Sequence, residues 1–287
     1  MTYLVDSHCH LSSLDYTTKA FKSKDEMLSR AISCGVSHFL SIACTIAEYQ
    51  KMAEMFRSYP NIWFACGIHP LNLDNCPDWK DDDLKAVLKD PKCVALGETG
   101  LDYFYEPEKR KAQMDSFARQ LDIAVDLKKP VCVHAREAHK DTVALLRSEN
   151  ARDCGGVIHC FTDSVEMARE CLDLGFLISF TGISTFKAAE NVREVLNYVP
   201  ADRIMVETDC PYLAPVPVRG VQNEPAFTRY TLNFIAKLKG ISQKALCDIT
   251  SRNFSELYNV ELKVPPKIKC EFSDYKIEKI KDLPFSS

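Results

Sequence analysis

The feature that most constrains this chain is an alternation of two patterns. Short apolar runs fall at residues 3–5, 38–44, 62–66, 93–96, 130–134, 156–159, 176–180 and 203–206. Between most of them lie longer stretches with apolar residues every three or four positions, the period of a helix packed on one face. Short apolar strands that alternate with helices predict a parallel sheet. Eight such units in 287 residues predict closure into a TIM-like (β/α)8 barrel, an α/β fold that reaches this length as one domain. The alternative is an open doubly wound sheet, but no Gly-x-Gly-x-x-Gly follows the first run.

Local signals agree with that rhythm. Ser23, Asp25 and Glu26 read as a capping box, opening a helix whose Met27, Leu28, Ala31 and Ile32 share a face; Gly35 is placed to end it. Pro107 suits the first turn of a long helix over 107–127, and Ser242 suits the cap of a last helix over 243–258. No linker divides the chain. The expected organisation is one barrel domain over 1–260 and a Lys- and Pro-rich tail over 261–287, surface-packed or mobile.

Composition narrows the function. The chain is 46% hydrophobic and 26% charged, ordinary for a soluble globular protein. A formal net charge of −4 excludes recruitment of nucleic acid by a global basic surface. Attraction to DNA would have to come from bound cations and a few local Arg and Lys side chains. The 13 cysteines are odd in number and contain no Cys-x-x-Cys pair, and Cys44, Cys66, Cys93 and Cys132 sit in apolar runs. They read as buried free thiols in a reducing compartment. No segment has the pattern of a signal peptide or approaches about 18 uninterrupted apolar residues. The expectation is a soluble cytoplasmic protein without membrane association; no obligate protein partner is evident.

The polar residues recur at one place, the C-terminal ends of the apolar runs. His8 and His10 end the first, His69 the third, Glu98 the fourth, His134 the fifth, His159 the sixth and Asp209 the eighth. In a barrel all these ends meet on one rim, where barrel enzymes carry their chemistry. His8 and His10 point to the same side of an extended strand, and Cys9 points the other way. Imidazoles and carboxylates together suit two divalent metal ions, zinc, magnesium or manganese. His8, His10 and Asp209 could hold one ion, His134 and His159 the second, with Glu98 bridging. Paired ions suit hydrolysis of a phosphodiester by a metal-activated water, with Asp209 as candidate general base.

Other residues have weaker claims. His69 reads as a catalytic residue that orients the site or meets substrate phosphate; the alternative is a histidine that only shapes the Gly-Ile-His-Pro turn. Glu207 shares a strand face with Asp209, and tunes the site or pairs with a buried cation. Arg136, Arg219 and Asn223 could hold phosphate, arginine through its planar fork; a surface charge and a turn residue are the alternatives for the last two. Tyr103, Phe104 and Tyr105 could stack a terminal base or pack as core or lid. His38 falls at the opposite end of its strand and His139 near a helix start, so neither reads as a ligand. Asp81, Asp82 and Asp83 form a helix N-terminal charge set.

At these residues the chain resembles the TatD family of metal-dependent deoxyribonucleases, nearest its bacterial YcfH-like branch. The resemblance is carried by Asp6-Ser7-His8-Cys9-His10-Leu11, Gly67-Ile68-His69-Pro70, Gly97-Glu98-Thr99-Gly100-Leu101-Asp102-Tyr103 and Val133-His134-Ala135-Arg136. It continues through His159-Cys160-Phe161, Glu207-Thr208-Asp209-Cys210-Pro211-Tyr212-Leu213, Arg219-Gly220 and Asn223-Glu224-Pro225, covering about residues 3–258. It implies an amidohydrolase-like metal-dependent TIM barrel. It implies a deoxyribonuclease, a 3′-to-5′ exonuclease on single-stranded DNA or strand ends. It implies His8, His10, Glu98, His134, His159 and Asp209 as metal ligands. The same chemistry also serves an ester or amide hydrolase such as an aminoacyl-tRNA deacylase, which stays open as the alternative.

Overall fold

The structure, a computed structural model, describes residues 3–268 and Ile280. Strands and helices alternate along it: β1 Leu4–Cys9, α1 Lys24–Ser33, β2 Val36–Ala43, α2 Ile46–Phe56, β3 Ile62–Cys66, α3 Asp81–Leu88, β4 Cys93–Asp102 and α4 Arg110–Leu127. The second half repeats the unit: β5 Val131–Arg136, α5 His139–Ser148, β6 Gly156–Ile158, α6 Val165–Asp173, β7 Leu177–Phe180, α7 Glu190–Tyr198 and β8 Ile204–Val206. Helices α8 Thr228–Lys239 and α9 Gln243–Tyr258 follow. The strands pair in parallel in chain order, β1 through β8. This is the predicted barrel. Among the described residues no helix is long and apolar enough to cross a membrane.

The helix starts follow from their caps. Ser23 Oγ accepts the Glu26 amide at 3.2 Å and Glu26 returns a carboxylate to Lys22 N–H, so the box closes one residue further out than expected. Ser242 Oγ accepts the Ala245 amide at 3.1 Å. Pro107 opens a single 3-10 turn ahead of α4 instead of lying in its first turn.

Two apolar layers result from strand alternation. Outward residues such as Phe39, Phe64, Val133 and Phe180 pack against the helices. Inward residues Leu40, Ala65, Val94, Val157, Leu177 and Met205 fill the lower barrel, closed from below by Phe254 and Tyr258 of α9. The polar residues therefore lie above a solid floor.

The seam between β8 and β1 is closed by side chains and loop backbone. Asp6 accepts both the Thr208 amide at 2.9 Å and the Thr208 hydroxyl at 2.6 Å. Just above, Asp209 N–H donates to His8 O at 2.9 Å and His10 N–H to Cys210 O at 2.8 Å. These bonds fix the strand bearing His8 and His10 against the loop bearing Asp209.

The start of the tail is anchored. His38 Nε2 donates to Lys263 O at 2.8 Å beneath the barrel, and Ile280 is buried in the outer core. The expectation of a surface-packed or mobile tail otherwise concerns residues outside those described.

Candidate active site and metal centre

Strand irregularities aim the polar residues inward. The β1–β2 register shifts between Asp6 and Cys9, so neighbours Ser7 and His8 both reach the interior: Ser7 Oγ donates to Val206 O at 3.1 Å, and His8 faces Glu98. Cys9 points outward, as expected, with Sγ against Leu40 O. Strand β4 runs on to Asp102 with a register shift against β5. Glu98 thus lies inside a strand and not at its end. Gly100 takes φ +137°, and a Cβ there would collide with the His134 carbonyl, so only glycine permits this approach of β4 to β5.

Glu98 is the centre of the cluster. Its Oε2 lies 3.4 Å from His8 Nε2 and 3.6 Å from His10 Nε2. Asp209 Oδ1 lies 3.6 and 3.3 Å from the same two nitrogens. The other oxygen, Oε1, lies 2.6 Å from His159 Nε2 and 3.1 Å from His134 Nδ1. One carboxylate therefore separates two sets of donors. His8, His10 and Glu98 present ligand atoms within 4.8 Å of one another, as do His69, Glu98 and His134, and His8, His159 and Glu207. Buried nitrogen and oxygen donors this close fit divalent cations.

Tautomers sort the imidazoles. His134 Nε2 donates to Asp102 Oδ2 at 2.9 Å, which leaves the Nδ1 lone pair facing Glu98. His159 Nδ1 faces Glu207 Oε1 at 3.5 Å, which turns its Nε2 to the site. His8 Nδ1 faces Cys132 Sγ at 3.2 Å. His69 differs. Its Nδ1 accepts the Leu71 amide at 3.1 Å, so Nε2 carries the proton and donates toward Glu98 Oε1 at 3.3 Å. In this tautomer its Nε2 is a donor into the site and offers no lone pair.

The electrostatics follow from burial and charge. Burial alone would raise Glu98, but the imidazoles of His159, His69 and His134 hold it well below the usual carboxylate range. Burial likewise opposes ionisation of Asp209, and His10 and His8 overcome it and keep its pKa low. Both carboxylates are thus anionic donors. Burial lowers the pKa of His69 despite the pull of Glu98.

The remaining predicted residues divide. Glu207 accepts from Ser179 Oγ at 2.6 Å and Cys160 N at 2.7 Å and faces His159, so of its two readings the tuning one agrees with the geometry. Arg136, the last residue of β5, and Arg219, on a rim loop, are exposed and stacked at 4.1 Å on Phe104 and 4.0 Å on Phe186. Asn223 corrects its expectation. It is fully buried; its amide donates to Thr208 O and Tyr212 O and accepts from Glu224 N. It shapes the loop holding Asp209 and has no group left for a phosphate.

Sequence reasoning missed Asp102, Cys132 and Cys44, whose Sγ lies 3.9 Å from Glu98 Oε2. Asp102 had a signal: four residues beyond Glu98, it shares that strand face. Both thiols read as core hydrophobes.

A parallel barrel with imidazoles and carboxylates gathered at its C-terminal rim is the architecture of a barrel metallohydrolase. A sequence model of the family described as TatD related DNase matches residues 5–259. The chain is 46% identical over 259 residues to Uncharacterized metal-dependent hydrolase YcfH of Escherichia coli K12, covering 90% of this chain and 97% of that one. It is 32% identical to the 3'-5' ssDNA/RNA exonuclease TatD of Salmonella typhimurium LT2, over 83% of this chain and 94% of that one. Its fold superposes on the crystal structure of YJJV, a TatD homologue from E. coli K12, with TM-score 0.82, 26% identity and coverage of 90% and 98%. The chain belongs to the TatD family and is a metal-dependent hydrolase of it.

Proposed function

We propose that this chain is a deoxyribonuclease that removes nucleotides from the 3′ ends of single-stranded or frayed DNA in the cytoplasm. His8, His10 and Asp209 would hold one divalent cation and His134 and His159 a second, with Glu98 placed between the two sets. The observation that carries this reading is the division of Glu98, one oxygen toward each donor set. The exonuclease name of the Salmonella relative supports the substrate class.

Two cations so held would lower the pKa of a water and balance charge on both the attacking and leaving oxygens of a phosphodiester. The chain's own groups do the rest. Asp209, anionic and partly open to solvent with its side chain 14% exposed, accepts the proton of the attacking water. His69, with hydrogen on Nε2, donates toward the phosphate or leaving oxygen. Arg136 and Arg219 supply the positive charge that a chain of net charge −4 otherwise lacks.

The test is reconstitution. Chelated protein is mixed with 3′-labelled single-stranded DNA and manganese, magnesium or zinc. The reading expects metal-dependent release of label, lost in Asp209→Ala, and a KM raised about tenfold or more in Arg219→Ala, the scale of one lost charged hydrogen bond. Protein that binds metal but cleaves no strand would instead act on an ester or amide bond, as in aminoacyl-tRNA.

A further inference from the structure

Three large aromatic rings stand in solvent on the rim: Phe104 at 48% exposure, Tyr105 at 60% and Tyr212 at 60%. Exposed rings grouped beside a polar cluster mark a contact surface. Phe104 and Tyr105 are fixed in place. Asp102 Oδ1 accepts both their amides, at 3.0 and 2.9 Å, while its other oxygen holds His134. The rings meet edge to face at 4.8 Å. Arg136 lies against both, its guanidinium carbon 4.1 Å from one centroid and 4.8 Å from the other. Arg136 is exposed at the end of β5, and its charge also helps hold the Asp102 carboxyl low. Tyr212 stands on the other side of Glu98, 6.4 Å from the His10 ring.

We propose that Phe104 and Tyr105, with Tyr212 opposite, form a platform that stacks the unpaired bases flanking the scissile phosphate. The inference rests on the nuclease reading and deepens it by naming how the strand is held. Exposed aromatic rings beside a solvent-facing guanidinium match one chemistry, a flat base joined to a phosphate. A base inside a duplex has both faces covered, so the platform selects unpaired ends. Stacking is indifferent to base identity, so it confers no sequence preference.

The experiment uses manganese-loaded full chain and two single strands, one ending in 2-aminopurine and one in an abasic residue. The rings are exposed, so substituting them leaves the core intact. The wild type quenches 2-aminopurine on binding and shows a KM at least about tenfold lower for the base-bearing end. Phe104→Ala with Tyr105→Ala raises that KM about tenfold or more and leaves the abasic KM within about twofold. The conservative Phe104→Tyr with Tyr105→Phe restores the wild-type values. Equal KM for both strands in the wild type, or an unchanged KM in the alanine variant, overturns the platform alone. Quenching without cleavage keeps the platform and overturns the nuclease reading; failure to bind either strand overturns both.

Discussion

Asp102 joins two parts of the rim: one oxygen accepts His134 Nε2–H at 2.9 Å and the other accepts the Phe104 and Tyr105 amides. The first bond fixes which His134 nitrogen keeps its lone pair. Asp102→Asn is isosteric but offers an amide donor, which favours the opposite tautomer and protonates the nitrogen facing Glu98. The expected result is a roughly 10- to 100-fold weaker second cation, measured by titrating manganese into chelated protein. Unchanged binding of both cations would remove Asp102 from the account.

His8 has a thiol where His134 and His159 have carboxylates. If its Nε2 binds a cation, its Nδ1 hydrogen needs an acceptor, and Cys132 Sγ is 3.2 Å away. Cys132→Val removes that acceptor at nearly constant volume and should weaken the first cation about tenfold, whereas Cys132→Ser should hold it within a few-fold. Equal affinity in the valine variant would make Cys132 simple packing.

The bidentate pair between Arg30 and Glu224 is buried, with contacts of 2.8 and 3.0 Å. Burial raises Glu224 despite Arg30, so the charged pair is held at a cost in desolvation. Arg30→Met strands a carboxylate and should destabilise the fold by about 3–5 kcal/mol; Arg30→Met with Glu224→Leu should recover most of it. Urea unfolding of the three proteins measures this. Asn223 is adjacent, so loosening Glu224 also loosens the loop of Asp209.

The residues gathered at the candidate site were largely legible in the sequence because His8, His10, His134, His159 and Asp209 interrupt or follow apolar runs near strand ends. The extent of β4 was hidden, since Glu98, Thr99 and Gly100 read as the end of a strand. Inside the barrel Glu98 is met by histidines of other strands, and Gly100 is needed by the crowding itself. Asn223 was misjudged for a related reason: a sequence does not reveal that backbone carbonyls will claim an amide. Cys132 was invisible because a thiol counts as a hydrophobe until a histidine is placed against it.

His38 gives a pH prediction away from the rim. Burial lowers its pKa from 6.5 to about 4, although Lys263 O accepts from its Nε2. The folded pKa lies below the unfolded one, so the unfolded chain takes up the proton first. The contribution is fully present above pH 6.5 and declines as pH falls toward 4. It amounts to roughly 3 kcal/mol across that window. The difference in unfolding free energy between wild type and His38→Gln should shrink on going from pH 7.5 to pH 4.5. A constant difference would show that His38 does not titrate in that window.

The central claim is that Glu98 serves two cations at once. Calorimetric titration of chelated protein with manganese tests it most directly, with Glu98→Gln alongside. Two equivalents per chain for the wild type, and one or none at comparable affinity for the variant, is the predicted result. A single equivalent for the wild type, or two of unchanged affinity in Glu98→Gln, would contradict it.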